Sequence, residues 1–154
     1  MPDILDEVSE LGLHTWAMRL WPRMWDGYGG GDLRWETAPL SLADREKIPS
    51  APGIYTLIVQ PAIAGHPSNS CLMYVGQAVS LRERFGRYLT RERADSGRPK
   101  LVRLLKRYED HILFCFTQVP KDRLTSTEAG LITAFIPPAN DKFPARISRV
   151  VNAF

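Results

Sequence analysis

Two runs of strand-forming residues, Gly53–Gln60 and Cys71–Gly76, stand ten residues apart, and the segment between them carries two prolines, a glycine, two serines and an asparagine. β-Branched and aromatic side chains suit a pleated surface, whereas Gly, Pro, Ser and Asn interrupt it. Adjacent strands joined by a loop of this length predict an antiparallel hairpin. The residues after the hairpin are punctuated as clearly. Ser80 with Glu83 forms a capping box and predicts a helix to about Thr90. A basic loop, Arg91 to Pro99, leads to a second helix at Lys100–Tyr108. His111–Val119 reads as a third strand, stopped by Pro120. A third helix is predicted from about Arg123 to Ile136, ended by Pro137-Pro138. The order β-β-α-α-β-α predicts a small α/β sandwich, a three-stranded, mainly antiparallel sheet flanked by helices.

The chain has 154 residues, about one domain, and can bury a core without metal or disulfide help. With 44% hydrophobic and 24% charged residues it reads as globular and soluble. Its start, Met1-Pro2-Asp3-Ile4-Leu5-Asp6-Glu7, is acidic where a secretory signal is basic. No apolar run approaches the roughly 20 residues of a membrane helix. Cys71 and Cys115 form no CxxC pair, which excludes a cysteine-rich zinc module and suggests a reducing compartment, expected to be the cytoplasm.

Residues 1–50 read as an N-terminal extension for dimerisation or DNA contact, and 51–154 as the main domain, with the boundary near Ser50-Ala51-Pro52. An amphipathic helix is expected at Ile4–Leu13. Gly27–Asp32 reads as a turn and not a P-loop, since no Gly-Lys-Ser/Thr comes after it. Trp16, Trp21, Trp25 and Trp35 are expected to serve packing or oligomer contact, with base stacking as the alternative. Charge divides along the same line. Residues 1–50 carry five Lys/Arg and nine Asp/Glu, residues 51–154 fifteen and eight. Arg82 to Arg107 alone hold ten basic and three acidic residues. Such an excess is the footprint of a phosphate-backbone partner or a solvated helical face.

Alternation along strands places Tyr55, Leu57 and Val59 on one face of the first strand, and Leu72 with Tyr74 on one face of the second. Hairpin register can bring both phenols together, although either tyrosine alone is also a plain strand former. On the first helix Leu81, Phe85, Tyr88 and Leu89 form the inward stripe, with Arg84 at its edge, where its stem can pack while the guanidinium reaches a phosphate. On the third helix Leu124, Leu131, Ile132 and Phe135 share one arc, and Glu128 falls inside it. An inward carboxylate needs a cation or hydrogen bonds. A divalent metal would meet that need. So would a capping box with Thr125 as N-cap and Glu128 at the third helical position. His14, His66 and His111 show no metal-ligand spacing.

Gly53-Ile54-Tyr55 and Tyr74-Val75-Gly76, followed in order by Arg84, Tyr88, Glu128, the pair Leu131-Ile132 and Asn140, resemble the motif set of the GIY-YIG nucleases. The resemblance covers Gly53 to Asn140 and omits the first 50 residues. It implies a metal-dependent endonuclease that hydrolyses phosphodiester bonds in DNA, expected to be double-stranded. Glu128 would hold one Mg²⁺ or Mn²⁺. Tyr55 or Tyr74 would help deprotonate the attacking water, Arg84 would stabilise phosphate charge, Tyr88 would orient the water or a phosphate oxygen, and Asn140 would brace the site. Gly53, Gly76, Gln77, Arg82, Arg87 and Arg91 are the substrate-side candidates. Many members carry Lys where this chain has Gln77, and a neutral side chain cannot lower a phenol pKa by charge. No PD-(D/E)xK, HNH or two-metal carboxylate pattern is present. With little room for a separate DNA-recognition domain, a compact restriction-like or phage-type enzyme, acting as a dimer where both strands are cut, is the expected member. The rival readings are a non-catalytic DNA-binding module on the same fold and an RNA endonuclease.

Overall fold

The computed structural model describes residues 14–26, 31–61, 66, 69–90 and 98–153. The expected helix at 4–13, most of the turn at 27–32, parts of the hairpin loop, and Arg91 with most of its basic loop lie outside the described residues. A short helix α1 (Pro22–Trp25) precedes strand β1 (Glu36–Pro39). Then come β2 (Gly53–Val59), β3 (Cys71–Ala78), α2 (Leu81–Leu89), α3 (Pro99–Arg107), β4 (Ile112–Gln118), α4 (Leu124–Phe135) and α5 (Ala145–Val151). The sheet runs β1-β4-β2-β3 with every neighbouring pair antiparallel.

The expected hairpin is β2–β3, and Ser80 Oγ accepts from the Glu83 amide at the start of α2 as a capping box requires. The expectation of three strands is corrected to four, because β1 pairs with β4 from within the first 50 residues. Its sequence, Glu-Thr-Ala-Pro, has no apolar alternation, and only Ala38 is buried. Pro39 fits because β1 is an edge strand and needs no donor on its outer side. Helix α5 adds Ile147 and Val151, one turn apart and both buried.

Residues Gly53 to Leu57 of β2 are all buried, because helices cover both faces of the sheet. On one face α2 and α3 pack Leu81, Phe85, Leu101 and Leu104 against Tyr55, Leu57, Tyr74, Phe114 and Phe116. On the other, α4 and α5 pack Leu131, Ile132, Ile147 and Val151 against Ile54 and Val75. Leu57 pairs with Tyr74 but Ile58 pairs with Leu72, so Met73 is an extra residue in β3. This bulge turns Met73 and Tyr74 to the same layer and sends Leu72 to the other. The expectation that Leu72 shares a face with Tyr74 is thereby corrected.

Candidate active site

Three phenols from two strands and a helix converge on the aromatic face. Cross-strand register sets Tyr55 opposite Gly76 and Leu57 opposite Tyr74, so both tyrosines point the same way. Tyr88, on the inward stripe of α2, brings its hydroxyl to 2.5 Å from that of Tyr55. The Tyr55 and Tyr74 rings lie 6.1 Å apart. Gly76 makes this possible: a Cβ there would lie 2.4 Å from the Tyr55 hydroxyl oxygen. Any larger residue would displace the phenol.

Each end of this chain of hydroxyls meets a guanidinium. At one end the charge of Arg84 acts on Tyr88 and Tyr55. Arg98, the residue before α3, donates to the Tyr74 hydroxyl at 3.0 Å. Burial raises all three phenol pKa values because it disfavours the anion. Tyr74 is pushed up to about 12, with Tyr88 adding to burial and Arg98 opposing it. Burial alone would lower the Arg84 pKa, but the phenols outweigh it and the net shift is upward. Tyr55 has no exposed surface, whereas Tyr74 keeps 6% and Tyr88 7%. Tyr55 is thus the most deeply enclosed of the three.

Glu128 approaches from α4. That helix begins at Leu124, directly after a 3₁₀ turn at Lys121–Arg123, and no side chain caps it. Thr125 is thus inside the helix, and the capping-box reading of Glu128 is corrected: Glu128 sits one turn in. Phe135, expected inside, is exposed, and Ala134 is buried in its place. The Glu128 carboxylate accepts from Gln77 Nε2 at 2.7 Å. Burial raises its pKa, opposed by Gln77 and by the charges of Arg98 and Arg84. Among the described residues no group of three His, Cys, Asp or Glu side chains converges as a metal cage.

Asn140 lies at the outer edge of β3 and is buried. Its carboxamide accepts from the Val75 amide at 3.0 Å and donates to the Val75 carbonyl at 2.9 Å, as a partner strand would. The Ala139 amide satisfies the Met73 carbonyl of the bulge at 2.8 Å. The chain reaches this edge because Ile136 ends α4 in the left-handed region, with φ 44°. That conformation costs a β-branched residue about 1–2 kcal/mol, offset by burial of its side chain in the aliphatic layer. Asn140 therefore holds the strand segment that carries Tyr74 and Gly76, and both of its polar atoms are committed there.

The other substrate-side candidates divide. Gln77 is in the site, on Glu128. Gly53 is a packing position, since a Cβ would meet the Thr117 carbonyl at 2.3 Å. Arg82 turns away to the loop before β2, donating to the Ile48 carbonyl at 2.7 Å and pairing with Glu46 at 3.6 Å. Arg87 is exposed, on a groove lined also by Arg45 and Gly86. Of the tryptophans, Trp16 donates to the Tyr108 hydroxyl at 2.9 Å and Trp25 to the Ala134 carbonyl at 2.7 Å. Arg98 is the residue that sequence reasoning passed over; only its place in the basic run marked it.

The fold is similar to solved structures of the GIY-YIG N-terminal endonuclease domain of UvrC from Thermotoga maritima. A point mutant bound to its catalytic divalent cation is 20% identical, with a TM-score of 0.44 over 65% of this chain and 93% of that one. The magnesium-bound domain is 21% identical, with a TM-score of 0.42 over 64% and 92%. A second point mutant is 22% identical, with a TM-score of 0.43 over 66% and 99%. No family model matches the chain, and no curated protein does.

Proposed function

We propose that this chain is a metal-dependent DNA endonuclease of the GIY-YIG type. The observation that carries the reading is the cluster of Tyr55, Tyr74 and Tyr88, in which Tyr55 and Tyr88 share a hydrogen bond and Arg98 donates to Tyr74, with Arg84 and Glu128 close enough to act electrostatically on the phenols. The rings pack in the aromatic layer, but hydroxyls bracketed by two guanidiniums beside one carboxylate go beyond what packing needs and suit an anionic, proton-releasing reaction.

A divalent ion fits Glu128. Its hard carboxylate is oriented by Gln77, and Mg²⁺ commonly takes one or two protein carboxylates and completes its shell with water and phosphate oxygens. When bound, the ion supplies charge neutralisation at a phosphate oxygen. Tyr74 is the better placed proton acceptor, since Tyr55 is sealed off. Tyr74 first releases its own proton to solvent, its anion being favoured by the Arg98 guanidinium. The phenolate Oη then takes the proton of the attacking water as the water oxygen bonds phosphorus and the bond to the leaving oxygen breaks. Arg84 stabilises the charge that builds on the phosphate, Tyr88 orients it, and Asn140 is a positioning residue through Val75.

In this reading residues 51–154 carry the catalytic unit within the cytoplasm. The first 50 supply β1 and a tryptophan-bearing surface, Trp25 and Trp35 being partly exposed. A second copy would sit there for double-strand cleavage, which needs two sites or two encounters. Sedimentation with and without duplex DNA tests the dimer. The function is tested with supercoiled plasmid, alone and with Mg²⁺ or Mn²⁺, followed by sequencing of the ends. Nicked or linear product only with metal is expected. DNA bound but never cut, with either metal, would leave a binding module, and cleavage of RNA alone would move the substrate.

A further inference from the structure

Arg84 is half-buried on α2 and engaged with Tyr88. Arg98 differs in every respect. It is exposed, it precedes α3, and one of its N–H groups is fixed on Tyr74 at 3.0 Å. Among the described residues no carboxylate forms an ion pair with it. A guanidinium has five N–H donors in a rigid fork, so the Tyr74 bond leaves the rest available. Its charge acts on Tyr74, Tyr88 and Glu128. The ionisable groups acting on Tyr74 from the packed elements are Tyr55 on β2, Tyr88 and Arg84 on α2, Glu128 on α4 and Arg98 itself. Gln77, the nearest polar neighbour along β3, is neutral and already bonded to Glu128. Among the described residues, Arg98 is an exposed cation bonded to a phenol of the site and paired with no carboxylate, and so has donors to offer an incoming anion.

We propose that Arg98 is a substrate-contacting residue, held in place by Tyr74 and closing its remaining N–H groups on a non-bridging oxygen of the reacting phosphate. The assignment rests on the proposed nuclease function and adds a second phosphate clamp to Arg84. A planar fork matches phosphate in a way that a lysine ammonium does not. The bond to Tyr74 fixes the plane of the fork before substrate arrives, which limits the ordering needed on binding.

The test compares wild type, Arg98→Gln and Arg98→Lys in two assays: cleavage kinetics with Mg²⁺, and duplex binding in EDTA as a function of salt. Arg98→Gln is expected to lower kcat by about 10- to 100-fold, the scale of one transition-state donor or somewhat less. It should also flatten the log–log salt dependence of binding by about 0.9, one phosphate contact. Arg98→Lys should keep the salt slope, because charge is retained, while losing most of the same kcat, because the fork is not. Melting temperatures should stay close, since Gln and Lys each keep an N–H that can donate to the Tyr74 hydroxyl and Arg98 is itself exposed. Wild-type slope and rate in Arg98→Gln overturn the proposal, and so does full activity in both variants. A wild type that binds DNA but cuts nothing overturns the nuclease reading instead; the salt slope in EDTA then decides Arg98, an unchanged slope rejecting it.

Discussion

The two faces of one sheet are filled with different chemistry. Against α4 and α5 the layer is aliphatic: Ile54, Val75, Leu131, Ile132, Ile136, Ile147 and Val151. Against α2 and α3 it is aromatic, with Tyr55 stacked on Phe114 at 5.1 Å and Phe85 edge-on to Phe114 at 5.1 Å. An aliphatic layer asks only for volume. An aromatic layer containing phenols must also satisfy hydroxyls away from water. Here they satisfy one another and then two arginines, so the demand of the core itself gathers the charged groups. Stability is expected to depend mainly on the first face and chemistry on the second, with Glu128 reaching from the aliphatic side to join them.

Glu128→Gln should break that division most completely. Gln keeps the shape and an acceptor for Gln77 but lacks the charge that holds a divalent ion. Cleavage should fall below detection in a plasmid assay while duplex binding in EDTA persists. An active Glu128→Gln enzyme would remove the metal role.

Arg84→Ala comes next, with a rate loss of at least about 100-fold, on the scale of removing one transition-state donor. Its melting temperature should move less than that of Leu131→Ala, which empties a nearly fully buried site on the other face. The leucine variant should lose about 2–5 kcal/mol of stability yet keep its kcat well below its melting temperature. Denaturant melts and initial rates on both proteins check this. A leucine variant that is folded but inactive would show that the faces are not separable.

Asn140→Ala should cost about 1–3 kcal/mol, by leaving the buried Val75 amide and carbonyl without partners. It should lower kcat as well, because Val75 lies between Tyr74 and Gly76. Asn140→Asp should restore only the bond from the Val75 amide. Unchanged kcat in Asn140→Ala would confine Asn140 to holding the sheet edge.

These particular residues also show what could be read from the chain alone. The hairpin, α2, α3, β4 and α4 are punctuated by Pro61, Ser80, Pro99, Pro120 and Pro137, so local chemistry marks their ends. Tyr55, Tyr74 and Arg84 are legible because strand and helix periods fix their faces. Strand β1 has no such mark; pairing with β4 creates it. The bulge at Met73 leaves no trace in the sequence, and it alone moves Leu72 to the other layer. Thr125-Ser126-Thr127-Glu128 spells a capping box, but the 3₁₀ turn after Pro120 starts the helix earlier and turns Glu128 to Gln77. Arg98 is one of ten basic residues in its run, and only the placement of α3 distinguishes it.

The smallest effect tests how Glu128 sits between the two faces. Burial raises its pKa above the ordinary carboxylate value even against the hydrogen bond of Gln77. A group whose folded pKa is raised supports folding while protonated, and that support is lost as pH rises through the folded pKa. Ionised Glu128 therefore weakens the metal-free protein near neutral pH. Glu128→Gln should melt at the same temperature as wild type or slightly higher at pH 7 without metal. Below the glutamate range, at about pH 3.5, both side chains are neutral and any advantage should vanish. Mg²⁺ should then reverse the order at pH 7, raising the wild type more than the variant, because binding to the native state stabilises it by mass action. Paired melting curves at the two pH values, with and without Mg²⁺, read all three signs. A variant less stable than wild type at pH 7 without metal would mean that the Gln77 hydrogen bond outweighs burial, and that Glu128 helps hold the two faces together before any metal arrives.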